Sequence, residues 1–171
     1  APEAFSSFAY YRDGTLIGRL PGAEYLQYVT LDQISPYVIQ ALISTEDKGF
    51  YRHPGVSLRG TMRAILQQVT GSDVQTGGST LTQQLVKQTL LEDLYREELS
   101  GKVKGDALKR LKYRRKLNEI LLALRVERVL TKDQILEAYL NRVYFGKSKD
   151  GTNLYGIQAA AKGYFGIDAK D

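Results

Sequence analysis

The chain has 171 residues, 43% of them apolar and 25% charged, with a net charge of +5 and no cysteine. Such a chain folds as one domain that buries roughly 70% of the surface its unfolded form exposes. The composition excludes a disordered chain, a disulfide scaffold and a zinc–thiolate site. No run approaches 18 consecutive apolar residues, so no segment reads as a membrane-spanning helix, and no signal peptide opens the chain. The start at Ala1 and the stop at Asp171, just after an Ala-rich segment, read as the ends of an excised fragment.

In chain order, Phe8 to Arg12 and Thr15 to Leu20 flank Asp13-Gly14, the pairing of turn and extended runs that predicts a β-hairpin. Ser35-Pro36 supplies an N-cap and a proline at the first helical position, opening a helix through Val38, Ala41 and Leu42 to Glu46, with Gly49 near its end. Ser57 caps a second predicted helix, in which Met62, Ile65, Leu66 and Val69 recur at helical spacing before Gly71. Gly71 to Gly78 is a polar loop. Thr80-Leu81-Thr82-Gln83 is a capping box that starts a helix toward Leu91. The stretch from Leu94 to Gly105, broken by two glycines, is expected to be mobile. Asp106 caps a long helix to about Leu130, and its run from Leu117 to Val126 is apolar almost all round, which predicts a central, buried helix. Thr131-Lys132-Asp133-Gln134 is a second capping box, followed by Ile135, Leu136, Tyr139 and Leu140. Gly146 to Gly156 reads as a loop and Ile157 to Tyr164 as a last short helix. The fold class is mainly α, with a small N-terminal β-hairpin and no βαβ alternation or internal repeat.

Charge is unevenly spread. From Arg96 to Lys116 nine basic residues stand against three acidic ones, so this block carries +6 and the remainder −1. A concentrated basic block suits nucleic acid, anionic lipid or a phosphorylated substrate, although most such runs are solvated surface.

Three groups of residues carry chemistry. Glu119 lies inside the apolar run with Arg115 one turn before it, and a carboxylate is costly to bury unless paired. An internal ion pair is the plainer explanation, but Arg before Glu is the weaker order for an exposed pair, so simple helix stabilisation is a poor reason for it. Thr80, Gln84, Lys87 and Gln88 fall on one helix face near an N-terminus, a set of donors that suits an anion as well as a solvated surface. Glu46-Asp47 places two acids at a helix C-terminus, where the macrodipole opposes them. His53, the sole histidine, precedes Pro54-Gly55 and fits a turn residue. No HExxH spacing, no phosphate-binding glycine loop and no Gly-x-Ser-x-Gly around Ser79 is present.

Taken together, Glu46-Asp47-Lys48-Gly49-Phe50-Tyr51-Arg52-His53-Pro54-Gly55, Gly77-Gly78-Ser79-Thr80-Leu81-Thr82-Gln83-Gln84-Leu85-Val86-Lys87, Arg115-Lys116-Leu117-Asn118-Glu119-Ile120, Ile135 to Asn141 with Phe145-Gly146, and Gly156-Ile157 through Phe165 resemble the five motifs of the peptidoglycan glycosyltransferases. That family includes the class A penicillin-binding proteins and the monofunctional transglycosylases. The likeness covers about Leu16 to the end and implies that 1–171 is one lysozyme-like domain, with a smaller apolar jaw dipping into the membrane. It implies polymerisation of lipid II into β-1,4-linked glycan with release of undecaprenyl pyrophosphate, by inversion. Glu46 matches the base that takes the proton from the acceptor 4-hydroxyl. Glu119 matches the second acid, which assists the leaving group, with room for a divalent cation (magnesium or manganese) and no organic cofactor. Lys87, Arg115 and Lys116 match the pyrophosphate cations, and departing pyrophosphate needs preorganised positive charge. Ser79, Thr80, Gln84 and Gln88 match the donor-site wall, and Asp47, Phe50 and His53 support the base. By analogy with inverting glycosidases the two carboxylates should stand well apart. Two departures stand out: Gln88 occupies a position where the family usually has Asn, and the spacer from Lys87 to Arg115 is longer than usual.

The implied partners are lipid II, the growing glycan, the membrane surface and other cell-wall synthesis proteins, at the outer face of the bacterial cytoplasmic membrane. The family's transmembrane anchor and C-terminal continuation are not in these residues. A lysozyme-like glycan-cleaving enzyme is the second enzymatic reading, but it gives the cation set no task. A basic nucleic-acid-binding module is the third. It leaves Glu46 and Glu119 unexplained, and no recognition motif supports it.

Overall fold

A computed structural model describes residues 8–10, 16–19, 24–57, 78–149 and 151–171. The predicted helix beyond Ser57 to Gly71, the predicted loop from Gly71 as far as Gly77 and the turn at Asp13-Gly14 fall outside these residues. The chain divides into two compact units, one made of 1–39 with 137–171 and the other of 40–136.

In the first unit, β1 (Phe8–Tyr10) and β2 (Leu16–Arg19) form the expected antiparallel hairpin, with Phe8 opposite Arg19 and Tyr10 opposite Leu16. A second sheet was not foreseen. β3 (Glu24–Leu26), β4 (Tyr144–Lys147) and β5 (Asn153–Tyr155) pair in the order β3-β5-β4, β3 parallel and β4 antiparallel to β5. The segment read as a loop from Gly146 to Gly156 thus contributes parts of two strands. The last helix of the chain, Ile157–Phe165, packs on β5 and β3. Gly163 permits this approach, because a Cβ there would stand 2.7 Å from Leu154 Cδ1.

Polar side chains of the fourth and fifth motifs hold this unit together. Asn141 is 2% exposed. Its Oδ1 accepts from Val29 N at 2.8 Å, and its Nδ2 donates to the carbonyls of Val29 and Glu137 at 2.8 Å each. A buried amide with every contact made contributes stability, whereas a half-satisfied one costs about 1–3 kcal/mol. Glu137 accepts from Leu31 N at 3.0 Å and from the Tyr28 hydroxyl. That hydrogen bond, with burial and the carboxylate's charge, pushes the Tyr28 phenol up to about 12. Gln158 donates to Asp168 and accepts from Ala169 N, fixing the chain end to the last helix.

The second unit is helical among its described residues. α1 (Pro36–Glu46) begins where Ser35-Pro36 predicted, its Ser35 carbonyl accepting from Val38 N and Ile39 N, and it runs into this unit from residue 40. A 3-10 turn, Phe50–Arg52, follows. α2 (Leu81–Thr89) carries the expected capping box: Thr80 accepts from Gln83 N while the Gln83 side chain accepts from Thr80 N at 3.0 Å. α3 (Glu92–Leu99) replaces the mobile stretch expected from Leu94. It is tied down by Leu91 and Leu94, which pack with Val86 and Ala123. α4 (Gly105–Val129) is the long helix, with Asp106 in its first turn rather than at the cap, which is Lys104. α5 (Lys132–Arg142) starts at the second capping box. The final helix, Ile157–Phe165, is α6.

α4 is not buried all round. Leu117 and Leu121 are 62% and 57% exposed, and only Glu119 and Ala123 are buried. The helix presents one narrow face to α2 and α3, and the small Ala123 lets the chain at Gly55 come close. Gly55 has φ +88°, and a Cβ there would lie 2.9 Å from the Ala123 carbonyl oxygen and 2.8 Å from Glu127 Cγ. Gly55→Ala is therefore expected to destabilise the fold by about 2–4 kcal/mol from left-handed strain and overpacking. Urea unfolding measures it, and a loss below about 0.5 kcal/mol would contradict this packing.

Candidate active site

Glu46 ends α1 and is exposed. Its Oε2 accepts from Gln84 Nε2 on α2 at 3.0 Å, so an amide orients the carboxylate without removing it from solvent. The next residue is the reverse case. Asp47 is 7% exposed, accepts from Leu81 N at 3.0 Å and lies 2.9 Å by each oxygen from His53 Nε2. His53 Nδ1 accepts from Gly55 N at 3.2 Å. That acceptance places the imidazole proton on Nε2, facing Asp47. Asp47 thus ties the end of α1 to the first turn of α2, and Glu46 is presented from a clamped turn. Phe50 is fully buried and packs edge-on to His53 and Tyr51.

Thr80 faces inward. It is 2% exposed, and its hydroxyl donates to the Gly55 carbonyl at 2.6 Å while accepting from Gln83 N at 3.2 Å. It docks the first turn of α2 on the chain at Gly55. Gln84, Lys87 and Gln88 of the predicted stripe remain half-buried along α2.

The cations gather around Glu119, which is 1% exposed. Its Oε1 accepts from Lys116 Nζ at 2.6 Å and its Oε2 from Arg115 Nη1 at 2.7 Å. Lys116 Nζ also donates to Ser79 Oγ at 2.8 Å, and Arg115 Nε donates to Glu98 Oε2 at 2.6 Å. Lys87 Nζ lies 4.7 Å from the centre of the Tyr95 ring, and Arg115 Cζ lies 5.6 Å from it. Three cations thus share two carboxylates and one aromatic ring, and the group keeps a net positive charge. Charge-assisted contacts this short fix orientation as well as charge.

A family model described as Transglycosylase matches residues 13–171. The chain belongs to the transglycosylase family. Penicillin-binding protein 1A of Pseudomonas aeruginosa is 40% identical over 162 residues, which are 95% of this chain and 17% of that protein. Penicillin-binding protein 1A of Escherichia coli is 39% identical over 157 residues, 92% of this chain and 16% of its own length. The protein of that name from Neisseria gonorrhoeae is 36% identical over 162 residues, 95% and 18% respectively. The chain thus spans less than a fifth of the length of these relatives.

Lys87, Arg115, Lys116 and Glu119 of the sequence motifs lie together in this structure, and four residues outside those expectations take part in the contacts around them and around the Asp47–His53 turn. Tyr95 and Glu98 sit on α3, where the spacing of Leu91, Leu94, Tyr95 and Glu98 was the available helical signal. Glu127 and Lys132 form the other missed pair. Glu127 Oε1 accepts from Thr82 Oγ1 at 2.6 Å and from Lys132 Nζ at 2.7 Å, and Lys132 also donates to the His53 carbonyl at 2.7 Å. The Lys132 ammonium lies 4.6 Å from the centre of the Phe50 ring. This pair supports the turn carrying Asp47 and His53 from beneath.

The donor set at Glu119 does not fit a divalent cation. Both its oxygens are engaged by positive groups, which repel a metal ion, and among the described residues no group of three His, Cys, Asp or Glu side chains is assembled. Among the described residues, no helix is long and apolar enough to cross a membrane.

Proposed function

We propose that this domain is a peptidoglycan glycosyltransferase that joins lipid II units into β-1,4-linked glycan. The observation that carries the reading is α2. One face of this helix holds the Glu46 carboxylate through Gln84 and, one turn on, presents Lys87 beside the Arg115–Lys116 group. A helix that holds the base at one turn and supplies a cation to an anion-holding cluster at the next suits a displacement in which a hydroxyl attacks and a pyrophosphate leaves.

Glu46 takes the proton from the acceptor's 4-hydroxyl as that oxygen attacks the donor's anomeric carbon. The bond from that carbon to the pyrophosphate oxygen breaks, and attack from the far side turns an α-linkage into a β-linkage. The electron pair goes to the pyrophosphate, whose growing charge is met by Arg115, Lys116 and Lys87. Gln84 keeps the carboxylate aimed. Glu119, buried and with each oxygen accepting from a cation, acts as a positioning residue that holds Arg115 and Lys116 in place. Lysine and arginine supply the charge that meets the leaving group.

The domain's place is the outer face of the bacterial cytoplasmic membrane, where the growing glycan and other cell-wall synthesis proteins would meet it. α4 supports contact with the lipid surface. Tyr113, Leu117 and Leu121 are exposed at successive turns, and Lys102, Lys104 and Lys109 are exposed at and before its start. Lys109 pairs with Asp106 at 3.4 Å, but both are so exposed that the pair contributes little.

Two outcomes test the reading. Glu46→Gln, followed by gel analysis of labelled lipid II, is expected to lower polymerisation by at least about a hundredfold, the usual scale for removing a general base. Polymer formation at the unsubstituted rate would remove Glu46 from its role. Charge reversal of Lys102, Lys104 and Lys109 to Glu is expected to weaken sedimentation with anionic vesicles by at least about a hundredfold, the scale of losing three cations at about 1 kcal/mol each. Unchanged sedimentation would end the membrane-surface assignment of this block.

A further inference from the structure

α3 lies in the long spacer before Arg115, and none of the five sequence motifs includes it. It is anchored by Leu94, which packs with Val86 and Ala123, while the exposed Arg96–Glu92 pair at 2.6 Å adds little. The helix then turns Tyr95 and Glu98, one turn apart, onto the cations. Tyr95 puts its ring against both Lys87 and Arg115. Glu98 and Arg115 pair with side chains only 11% and 13% exposed.

The two carboxylates on Arg115 are not equivalent. Glu119 is fully buried and spends each oxygen on a different cation. Glu98 meets Arg115 through one oxygen at Nε, and it remains partly accessible. The Nε edge is one of the two edges by which a guanidinium grips a phosphate with paired hydrogen bonds. An anion arriving at this edge exchanges one carboxylate oxygen for its own, and it leaves the Glu119 contacts intact.

We infer that α3 is part of the donor site: Glu98 is the resident counter-ion that a pyrophosphate group displaces from Arg115, and Tyr95 is the positioning residue that holds both Lys87 and Arg115 against its ring. The inference rests on Lys87, Arg115 and Lys116 being the pyrophosphate cations. Its content is a sign: Glu98 opposes ligand binding while Tyr95 supports it. Two residues that served only to hold α3 in place would act in the same direction when replaced.

Calorimetric titration of the chain with inorganic pyrophosphate tests it, alongside steady-state polymerisation of lipid II. Glu98→Gln keeps an acceptor for Arg115 but removes the competing charge, so pyrophosphate should bind roughly tenfold more tightly. KM for the donor should fall with it, while kcat changes less. Tyr95→Ala should weaken pyrophosphate about three- to tenfold through loss of the cation–π contacts. Tyr95→Phe, which keeps the ring face, should restore binding. Glu98→Gln binding pyrophosphate no better than the unsubstituted chain, while Arg115→Ala binds it much less, would overturn the role of Glu98 and leave the donor-site reading standing. Unchanged binding by both Arg115→Ala and Lys116→Ala would overturn the donor-site reading itself, and the inference with it.

Discussion

A buried carboxylate must be paired, and Glu119 imposes that requirement on everything around it. An unpaired carboxylate at 1% exposure costs several kcal/mol or gives up its charge. The cost is offset here by an ammonium and a guanidinium, each at hydrogen-bond distance. Those cations in turn need partners on their outer sides, which come from Ser79, Glu98 and Tyr95. Such a pair need not make the fold more stable than an apolar alternative. What it gives is a fixed array of positive charge that does not reorganise when an anion forms beside it, which is the form of electrostatic help a leaving pyrophosphate requires.

α2 joins this array to the base. Its first turn is docked by Thr80 on the Gly55 carbonyl and by Leu81 N on Asp47, so the helix start and the turn after α1 form one clamped piece. Beneath it, Lys132 and Glu127 hold the His53 carbonyl and Thr82. Glu46 is exposed and, among the described residues, is oriented by Gln84. The division is chemically sensible: neighbouring polar groups are consumed in building the turn, and the group that must exchange a proton is left accessible.

Local signals were legible in the sequence. The capping boxes at Thr80 and Thr131, the proline at the start of α1 and the hairpin strands each depend on residues close in the chain, and each stands where it was expected. Glu119 was recognised as a buried, paired acid, but the reason given was incomplete. The apolar run around it suggested a central helix, whereas Leu117 and Leu121 are exposed and burial falls on one narrow face. The β3-β5-β4 sheet escaped because its strands are three or four residues long, too short for an alternating pattern, and because β3 pairs with a strand from the far end of the chain. α3 escaped because it is only eight residues long, too short for its apolar spacing to stand out beside Gly101 and Gly105. Glu127 and Lys132 lie on either side of a helix end, where no periodicity links them.

The most direct test of this account is the polymerisation rate of Glu119→Gln with Glu46 and Gln84 unaltered. Gln keeps the shape and one acceptor but removes the charge that holds Arg115 and Lys116. If that preorganised array drives departure of the pyrophosphate, kcat should fall about a hundredfold or more, on the scale of removing one oxyanion-stabilising contact. A kcat within about threefold of the unsubstituted chain would show that the buried carboxylate does not set up the catalytic charge, and the account built on it would fail.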